Sequence, residues 1–323
     1  MCSLLMVTAS LSWQGCDDTD HCCGMVDDEN LEVASCPDAR MPGAASFVSV
    51  PAGLFWMGCN SAKDTLCYDD EKPQHLVSLD GFEIGLMEVT VAEYLLCVEA
   101  GECQAKARPS ETLGFELCNV IKQGPDACSL PVNCVSWNDA SAYCKWIGAR
   151  LCTEAEWEMA ARGNCDLYEG EECATAMPTY PWGEEEPTYA LAAIYSPDEG
   201  CTSGWSVPVG SKPLGVSPFG IWDLAGGVSE WVSDIYSAEY YSKMPSSFAR
   251  SGESDADGRK EPEQAVAVPW HNPTGPANGD SRVHRGGSVN SEYEKYFVRS
   301  SNRSLDFPSY PLSSHRTGIR CCR

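Results

Sequence analysis

Residues 150–163 read RLCTEAEWEMAARG, and this stretch carries the clearest helix signal in the chain. Thr153 is a strong N-cap, and Glu156 completes a capping box in which each side chain accepts a hydrogen bond from the other residue's backbone N–H. An apolar stripe follows at helical spacing, made of Trp157, Ala160 and Ala161. The pattern predicts a helix that begins after Thr153 and buries this stripe.

Two further helices are predicted ahead of this one. Thr90 and Glu93 form a second capping box before an apolar run. Residues 137–146 form the third helix, with its cap placed near Asn138. Its apolar stripe consists of Ala140, Tyr143, Cys144 and Ile147. We expect the stripe of this helix to pack against the stripe of the helix that follows Thr153.

Strand signals lie nearer the start of the folded region. Residues 47–58 place apolar residues on both sides of Pro51-Ala-Gly53, which predicts a hairpin, and residues 75–85 predict a second strand pair. The chain has 28 glycines and 21 prolines, so its elements are expected to be short and its loops long. The predicted fold class is an irregular α+β domain.

The charge of the chain restricts its partners. There are 47 acidic and 22 basic residues, a formal net charge of -25. Nucleic acid and anionic membrane surfaces would repel such a protein. An acidic surface suits hard cations such as calcium, or simply gives solubility to a secreted protein.

Cysteine content and the first residues favour export. Nineteen cysteines without CxxC pairs indicate disulfides formed in an oxidising compartment, and the odd number leaves at least one cysteine without a partner in the chain.

Residues 1–16 resemble a signal or lipoprotein segment with Cys16 as the lipidation candidate; an unlipidated signal peptide or a mis-set start codon are the alternatives. Residues 17–45 read as an acidic linker and residues 46–323 as the folded domain. No segment has the length of a transmembrane helix. Short local bridges are expected for Cys97–Cys103, Cys118–Cys128 and Cys165–Cys173.

Several separated segments occur in the order of one known family. They are Pro51-Ala-Gly53 with Met57-Gly58, Glu88-Val-Thr90, Pro131-Val-Asn-Cys-Val-Ser-Trp137, RLCTEAEWEMAARG from Arg150, Tyr180-Pro-Trp-Gly183, GIWDLAGGVSEWVSD from Gly220, Arg285-Gly-Gly-Ser288 and Gly318-Ile-Arg-Cys321. Together they resemble the formylglycine-generating-enzyme, or sulfatase-modifying-factor, domain over residues 46–323. The resemblance implies a C-type-lectin-related fold with little regular secondary structure, bound calcium and disulfides. It also implies a Cys144–Cys321 disulfide, with adjacent Cys322 as an alternative partner.

The resemblance places a calcium site in the loop from Asp223 to Glu230. In the family, the side chains at the positions of Asp223 and Glu230 and the main-chain oxygens at those of Gly226 and Val228 bind calcium. Two carboxylates around a glycine pair also suit a hard cation without reference to any family. The alternative is that both carboxylates merely cap turns.

The resemblance also locates a missing centre. Formylglycine-generating enzymes bind copper(I) between two cysteine thiolates, and the matching positions here are Ser291 and Tyr296. Hydroxyl oxygens do not replace thiolates toward a soft ion. We therefore do not expect copper, and we expect no formylglycine-forming activity.

What remains at the degenerate active-site positions is a polar set that includes Arg285, Ser288, Ser291 and Tyr296. Such residues suit hydrogen bonding to a ligand, and Arg285 is expected to anchor structure. The leading hypothesis is an exported, non-catalytic protein that binds a peptide, protein or small molecule in the bacterial cell envelope or outside the cell. The competing hypothesis is an oxidoreductase of the same superfamily with a different metal centre. A structural protein without a ligand is a third hypothesis.

Overall fold

The fold was analysed in a computed structural model of the chain. It describes residues 35–36, 39, 46–104, 118–121, 126–168, 172–195, 206–243, 248–250, 265–289, 294–308 and 316–323. Cys16 and Ser291 lie outside these residues.

The described helices are short. They are α1 (Val91–Glu99), α2 (Trp137–Trp146), α3 (Glu154–Arg162), α4 (Cys173–Ala176) and α5 (Glu294–Phe297). The capping boxes of Thr90 and Thr153 are confirmed. The cap of α2 was misplaced: Ser136, not Asn138, is the N-cap, and its Oγ accepts from the Asp139 N–H at 3.2 Å. None of the helices in the described ranges has the length and apolar character needed to cross a bilayer.

Short strands make up the rest of the regular structure. They are β1 (Phe47–Val50), β2 (Gly53–Met57), β3 (His75–Leu79), β4 (Phe82–Gly85), β5 (Arg150–Leu151), β6 (Ser229–Ile235), β7 (Phe248–Arg250), β8 (Ala265–Ala267), β9 (Trp270–His271), β10 (Arg282–Arg285), β11 (Ser304–Asp306), β12 (Thr317–Gly318) and β13 (Cys321–Cys322). They form sheets in the orders β1-β4-β13-β5, β11-β10-β6-β12, β2-β3-β9 and β7-β8. This is an irregular α+β fold.

The first four strands were located correctly, but their predicted pairing is wrong. Instead of two hairpins, β1 pairs with β4 and β2 pairs with β3, all antiparallel. Pro51-Ala52 and Asp80-Gly81 are corners at which the chain passes from one sheet to the other. These corners lie against each other, since a Cβ added at Gly81 would come within 3.4 Å of the Val50 carbonyl oxygen.

The core has two main parts, and β6 lies between them. Ala140, Tyr143 and Cys144 of α2 belong to the first part, whereas the stripe of α3 belongs to the second. Trp231 and Val232 are successive residues of β6 and enter opposite parts, because side chains alternate along a strand. The expected packing of α2 on α3 is therefore wrong, since each helix packs on its own side of β6.

Disulfides close short loops and also link distant parts of the chain. In the described residues they are Cys36–Cys128, Cys59–Cys67, Cys97–Cys103, Cys118–Cys134, Cys144–Cys321, Cys152–Cys322 and Cys165–Cys173. Cys97–Cys103, Cys165–Cys173 and Cys144–Cys321 are confirmed. Cys118–Cys128 is wrong, because Asn119 donates its N–H to Asn133 Oδ1 at 2.7 Å and so holds Cys118 beside Cys134. Cys128 instead bonds Cys36, a residue of the predicted linker.

Candidate functional site

The glycine pair after β10 makes the turn that leads into Ser288, which is buried. Gly286 and Gly287 have φ values of +96° and +69°, in the left-handed region that favours glycine. A Cβ on Gly287 would also lie 3.0 Å from the carbonyl carbon of Phe297. Both the turn and the close approach of α5 therefore require glycine here.

A cavity of about 330 Å³ opens at this turn, and we call it the Ser288 pocket. Four hydroxyl side chains line it from different elements: Ser229, Ser288, Ser304 and Thr317. Strand pairing brings them together, since Thr317 pairs with Ser229 across β12 and β6, and Ser304 lies opposite His284 across β11 and β10. Its volume lies within the usual range for ligand sites, about 300–1,000 Å³.

The rest of the pocket lining consists of an acidic, a basic, an imidazole and two apolar side chains. Asp306 and Arg316 contribute opposite charges, and Phe297 and Leu305 contribute apolar surface. Burial lowers the pKa of His284 to about 4, although Asp306 and a backbone hydrogen bond at Leu305 oppose this shift. His284 is therefore neutral near pH 7. Its Nδ1 atom is buried, and no hydrogen-bond partner for it occurs among the described residues.

The other predicted active-site residues are distributed differently. Tyr296 is on α5, half-buried, and its carbonyl oxygen accepts from Arg299 Nε at 3.0 Å. Its neighbour Phe297, but not Tyr296, lines the Ser288 pocket. Arg285 is fully buried away from the pocket lining. Ser291 lies outside the described residues.

Arg285 belongs to a buried ionic network under the pocket. Its guanidinium binds Glu154 Oε1 at 2.8 Å and Glu158 Oε2 at 2.6 Å, and it donates to the Ser300 carbonyl. Arg303 also binds Glu154, at 2.7 Å. Burial would raise the pKa of Glu154, but Arg303 and Arg285 outweigh burial and hold the pKa below its usual value. Glu154 is therefore ionised at neutral pH, and the network anchors β10 to the segment that follows α5, as expected for a structural Arg285.

A pair of sulfur atoms does approach the Tyr296 segment from elsewhere in the chain. Cys59 Sγ lies 3.7 Å from Arg299 Nη1, three residues after Tyr296. Ligand atoms of Cys59, Cys67 and Glu71 lie within 4.8 Å of one another. However, Cys59 and Cys67 are bonded to each other, so neither offers a thiolate to copper(I) in this state. Glu71 already accepts two hydrogen bonds from Arg299, each 2.7 Å long.

The predicted calcium loop forms a second polar centre. Asp223, Gly226 and Gly227 have φ values of +57°, +79° and +66°, which fold the loop tightly. Glu230 accepts from Arg320 Nε, with distances of 2.8 and 2.9 Å to its two oxygens, and from Trp157 Nε1 at 2.5 Å. Asp223 Oδ2 accepts from the Gly210 N–H.

Sequence reasoning missed a third carboxylate in this centre. Glu88 is 4% exposed, and its Oε1 accepts from the Val228 N–H at 3.1 Å. A Cβ on Gly227 would come within 2.5 Å of the same oxygen, so the glycine makes room for Glu88. Burial, then Asp223 and Glu230, raise the pKa of Glu88 well above its usual value, against the opposing effect of Arg320. Glu88 stands in a quoted family motif, but its distance in sequence from the loop gave no sign of this contact.

The fold and the turn at Ser288 define a formylglycine-generating-enzyme-like domain. The chain belongs to the family described as sulfatase-modifying factor enzyme 1-like domain, whose model matches residues 34–323.

Individual relatives agree with this assignment. The chain is 30% identical to a formylglycine-generating enzyme of Streptomyces coelicolor over 88% of its own length and 91% of that protein. It is 32% identical to a hercynine oxygenase of Mycolicibacterium smegmatis, over 61% of the chain and 47% of that protein. Among solved structures, PvdO from Pseudomonas aeruginosa matches with a TM-score of 0.58 and 25% identity, covering 86% of this chain and 93% of PvdO.

Proposed function

We propose that this protein binds a polar ligand, either a short peptide segment or a small molecule, in the Ser288 pocket and does not form formylglycine. The observation that carries the proposal is the pocket itself: four hydroxyl groups, a neutral imidazole and a pair of opposite charges meet at the end of the Arg285-Gly-Gly-Ser288 motif. In this set the buried His284 Nδ1 has no hydrogen-bond partner among the described residues, and a polar ligand could supply one.

The sequence argues against copper-based oxidation at this place. Ser291 and Tyr296 stand at the positions that the family fills with cysteines. Oxygen ligands of this kind bind copper(I) poorly. The nearby Cys59–Cys67 pair is oxidised and faces the cationic side chain of Arg299. The motif that positions the substrate site is thus retained without the sulfur ligands.

Export is part of the proposal. The disulfides of the described residues include three that close short loops and three that join segments more than 90 residues apart. Such bonds persist in oxidising compartments and are rare in the cytosol. We propose that the protein acts in the cell envelope or outside the cell, with Cys16 as a candidate lipid anchor.

Calcium is the cofactor that we propose for the loop from Asp223 to Glu230. The acidic groups of Glu88, Asp223 and Glu230 act on the guanidinium of Arg320, and Lys212 also acts on Asp223, so acidic groups still outnumber basic ones and favour a further cation. Asp223 and Glu230, with the main-chain oxygens of Gly226 and Val228, would hold the ion. Calcium there would stabilise the loop that leads into β6, and hence Ser229 in the pocket wall.

An oxidoreductase with another metal centre is the second candidate, favoured by the similarity to hercynine oxygenase. The two hypotheses predict different metals. We expect purified protein to contain calcium but no stoichiometric copper or iron, and we expect no oxygen uptake when a cysteine-containing peptide is added. Stoichiometric copper or iron together with oxygen uptake would overturn the proposal.

Ligand binding is tested with a thermal-shift panel of free amino acids and Gly-X-Gly tripeptides. Ser304→Phe fills the Ser288 pocket from β11, and Ser78→Phe adds the same side chain at a half-buried strand position outside it. We expect at least one probe to raise the melting temperature of the wild type and of Ser78→Phe but not that of Ser304→Phe. A shift that survives in Ser304→Phe would place binding elsewhere and refute the assignment.

A further inference from the structure

One thirteen-residue segment, from Cys59 to Glu71, brings two sulfurs and two carboxylates together. One ligand atom from each of Cys59, Cys67 and Glu71 lies within 4.8 Å of the others, and Asp64 Oδ2 is 3.3 Å from Cys59 Sγ. A tetrahedral zinc ion, with bonds of about 2.0–2.3 Å, keeps its ligand atoms about 3–4 Å apart. The two sulfurs are bonded to each other, so the segment could reach the spacing of a metal site only when the disulfide opens; Glu71 and Asp64 already lie beside it.

A cation already occupies the centre of this cluster. Arg299 Nη1 lies 2.7 Å from Glu71 Oε2, 3.0 Å from Asp64 Oδ2 and 3.7 Å from Cys59 Sγ. Arg299 and Glu71 are both fully buried, and Cys59 is 3% exposed. The cluster is thus built to surround positive charge in a site that largely excludes water.

The formal charge of the cluster depends on its redox state. With the disulfide intact, Asp64, Glu71 and Arg299 leave one formal negative charge. Reduction followed by ionisation of both thiols would add two more. Buried charge of that size is costly unless another cation compensates it.

We propose that the Cys59–Cys67 pair is a redox-gated site for a zinc-like divalent cation, with Cys59, Cys67, Asp64 and Glu71 as its ligands. A dithiol reductant breaks the Sγ–Sγ bond, is itself oxidised to a disulfide, and supplies two electrons and two protons. Metal binding then displaces the proton of each thiol to solvent, and thiolate sulfur selects zinc over hard ions such as magnesium.

Metal binding at this cluster would affect the Ser288 pocket through Arg299. The same guanidinium that balances Glu71 donates from Nε to the carbonyl oxygen of Tyr296, next to the pocket residue Phe297. A metal ion bound by Glu71 and Asp64 would compete with Arg299 for their oxygens and so weaken the hydrogen bonds that hold its guanidinium in place. The site would therefore couple redox state and metal supply to the position of α5.

The test is an equilibrium titration of the whole protein in glutathione redox buffers, with and without micromolar zinc. Trapping free thiols by alkylation and locating them by mass spectrometry gives the reduced fraction of each disulfide. Cys165–Cys173 is the matched control, because it has the same sequence separation of 8 as Cys59–Cys67. Zinc at about 100 times its dissociation constant should favour the reduced Cys59–Cys67 pair about 100-fold.

We expect zinc to shift the midpoint of Cys59–Cys67 at least tenfold toward more oxidising buffer and to leave Cys165–Cys173 unchanged. Magnesium should shift neither. Equal shifts of both disulfides, no shift of either, or the same shift with magnesium would overturn the proposal. In a second measurement, the wild type reduced at Cys59–Cys67 should bind one zinc more than the Cys59→Ser/Cys67→Ser double variant; equal zinc contents would also overturn it.

Discussion

Replacing Asp234 by asparagine is expected to stabilise the protein increasingly as the pH rises. Asp234 is on β6 and 2% exposed, and its Oδ2 accepts from the Glu154 N–H at 2.9 Å and from Ser233 Oγ at 3.0 Å. Burial, and after it the Glu154 carboxylate, raises the pKa of Asp234 to about 7, against the lowering effects of the two hydrogen bonds and of Arg303. An asparagine oxygen can accept the same two bonds without carrying charge.

The magnitude follows from the pKa difference. The ordinary value is 3.8, so the folded protein keeps this proton over a pH range in which the unfolded chain has lost it. Stability therefore falls as the pH rises from the unfolded pKa to the folded pKa, and it stays reduced above the latter. A pKa difference of about three units lowers the free energy of unfolding by about 4 kcal/mol once the pH is above the folded pKa. Near pH 5 only about 1.5 kcal/mol of this stability has been lost.

Urea unfolding with the disulfides intact, at about pH 5, 6, 7 and 8, measures this effect. The free energy of unfolding of Asp234→Asn minus that of the wild type should grow by about 2–3 kcal/mol across the series. Asp126→Asn, at an exposed position, is the matched control and should show a constant difference. A difference for Asp234→Asn that does not change with pH would refute the reasoning.

Three further predictions concern other parts of the domain. Cys144–Cys321 and Cys152–Cys322 close loops of 177 and 170 residues, so each constrains nearly the same segment. Replacing both pairs by serines should lower the free energy of unfolding in urea by about 4–5 kcal/mol, and replacing either pair alone should lower it much less. Losses from the two single replacements that add up to the loss from the double replacement would contradict this. His284 has a folded pKa of about 4 against 6.5 unperturbed, so its contribution to instability grows as the pH falls between these values. Between these pH values the free energy of unfolding of His284→Gln should fall by about 3 kcal/mol less than that of the wild type, as measured by unfolding both proteins over the same pH series. The same pH dependence in both proteins would contradict the assignment. Removing calcium with a chelator should lower the melting temperature reversibly, and calcium but not magnesium should restore it; indifference to both ions would refute the calcium site.

Local signals in the sequence were good guides to local structure. The capping boxes at Thr90 and Thr153 were found because all their members lie within four residues. At α2, however, serine and asparagine two residues apart are both good caps. The choice of Ser136 depends on Asp139, whose side chain bonds back to the Ser136 N–H at 3.2 Å.

Non-local pairing could not be read from local patterns. The spacing of β1 to β4 in the sequence is typical of two hairpins. Which strands pair is decided instead by which side chains of each strand are buried in the two parts of the core. The Ser288 pocket has the same origin: Ser229, His284 and Ser304 meet only through the pairing of β6, β10 and β11. Family resemblance supplied the Cys144–Cys321 bond and singled out Ser288 as an active-site position, whereas Cys36–Cys128 had no counterpart in the motifs.

The position of Cys321-Cys322 has a consequence for the order in which the domain folds. These two residues form β13, which lies between β4 and β5 and is covalently tied to Cys144 and Cys152. This interior strand comes from a part of the chain far from its neighbours, since its cysteines are joined to partners 177 and 170 residues away in sequence. Strands β4 and β5 therefore have an unfilled position between them until residues 321–322 dock, so this sheet closes through contacts that are distant in sequence, and its two disulfides can form only after that docking.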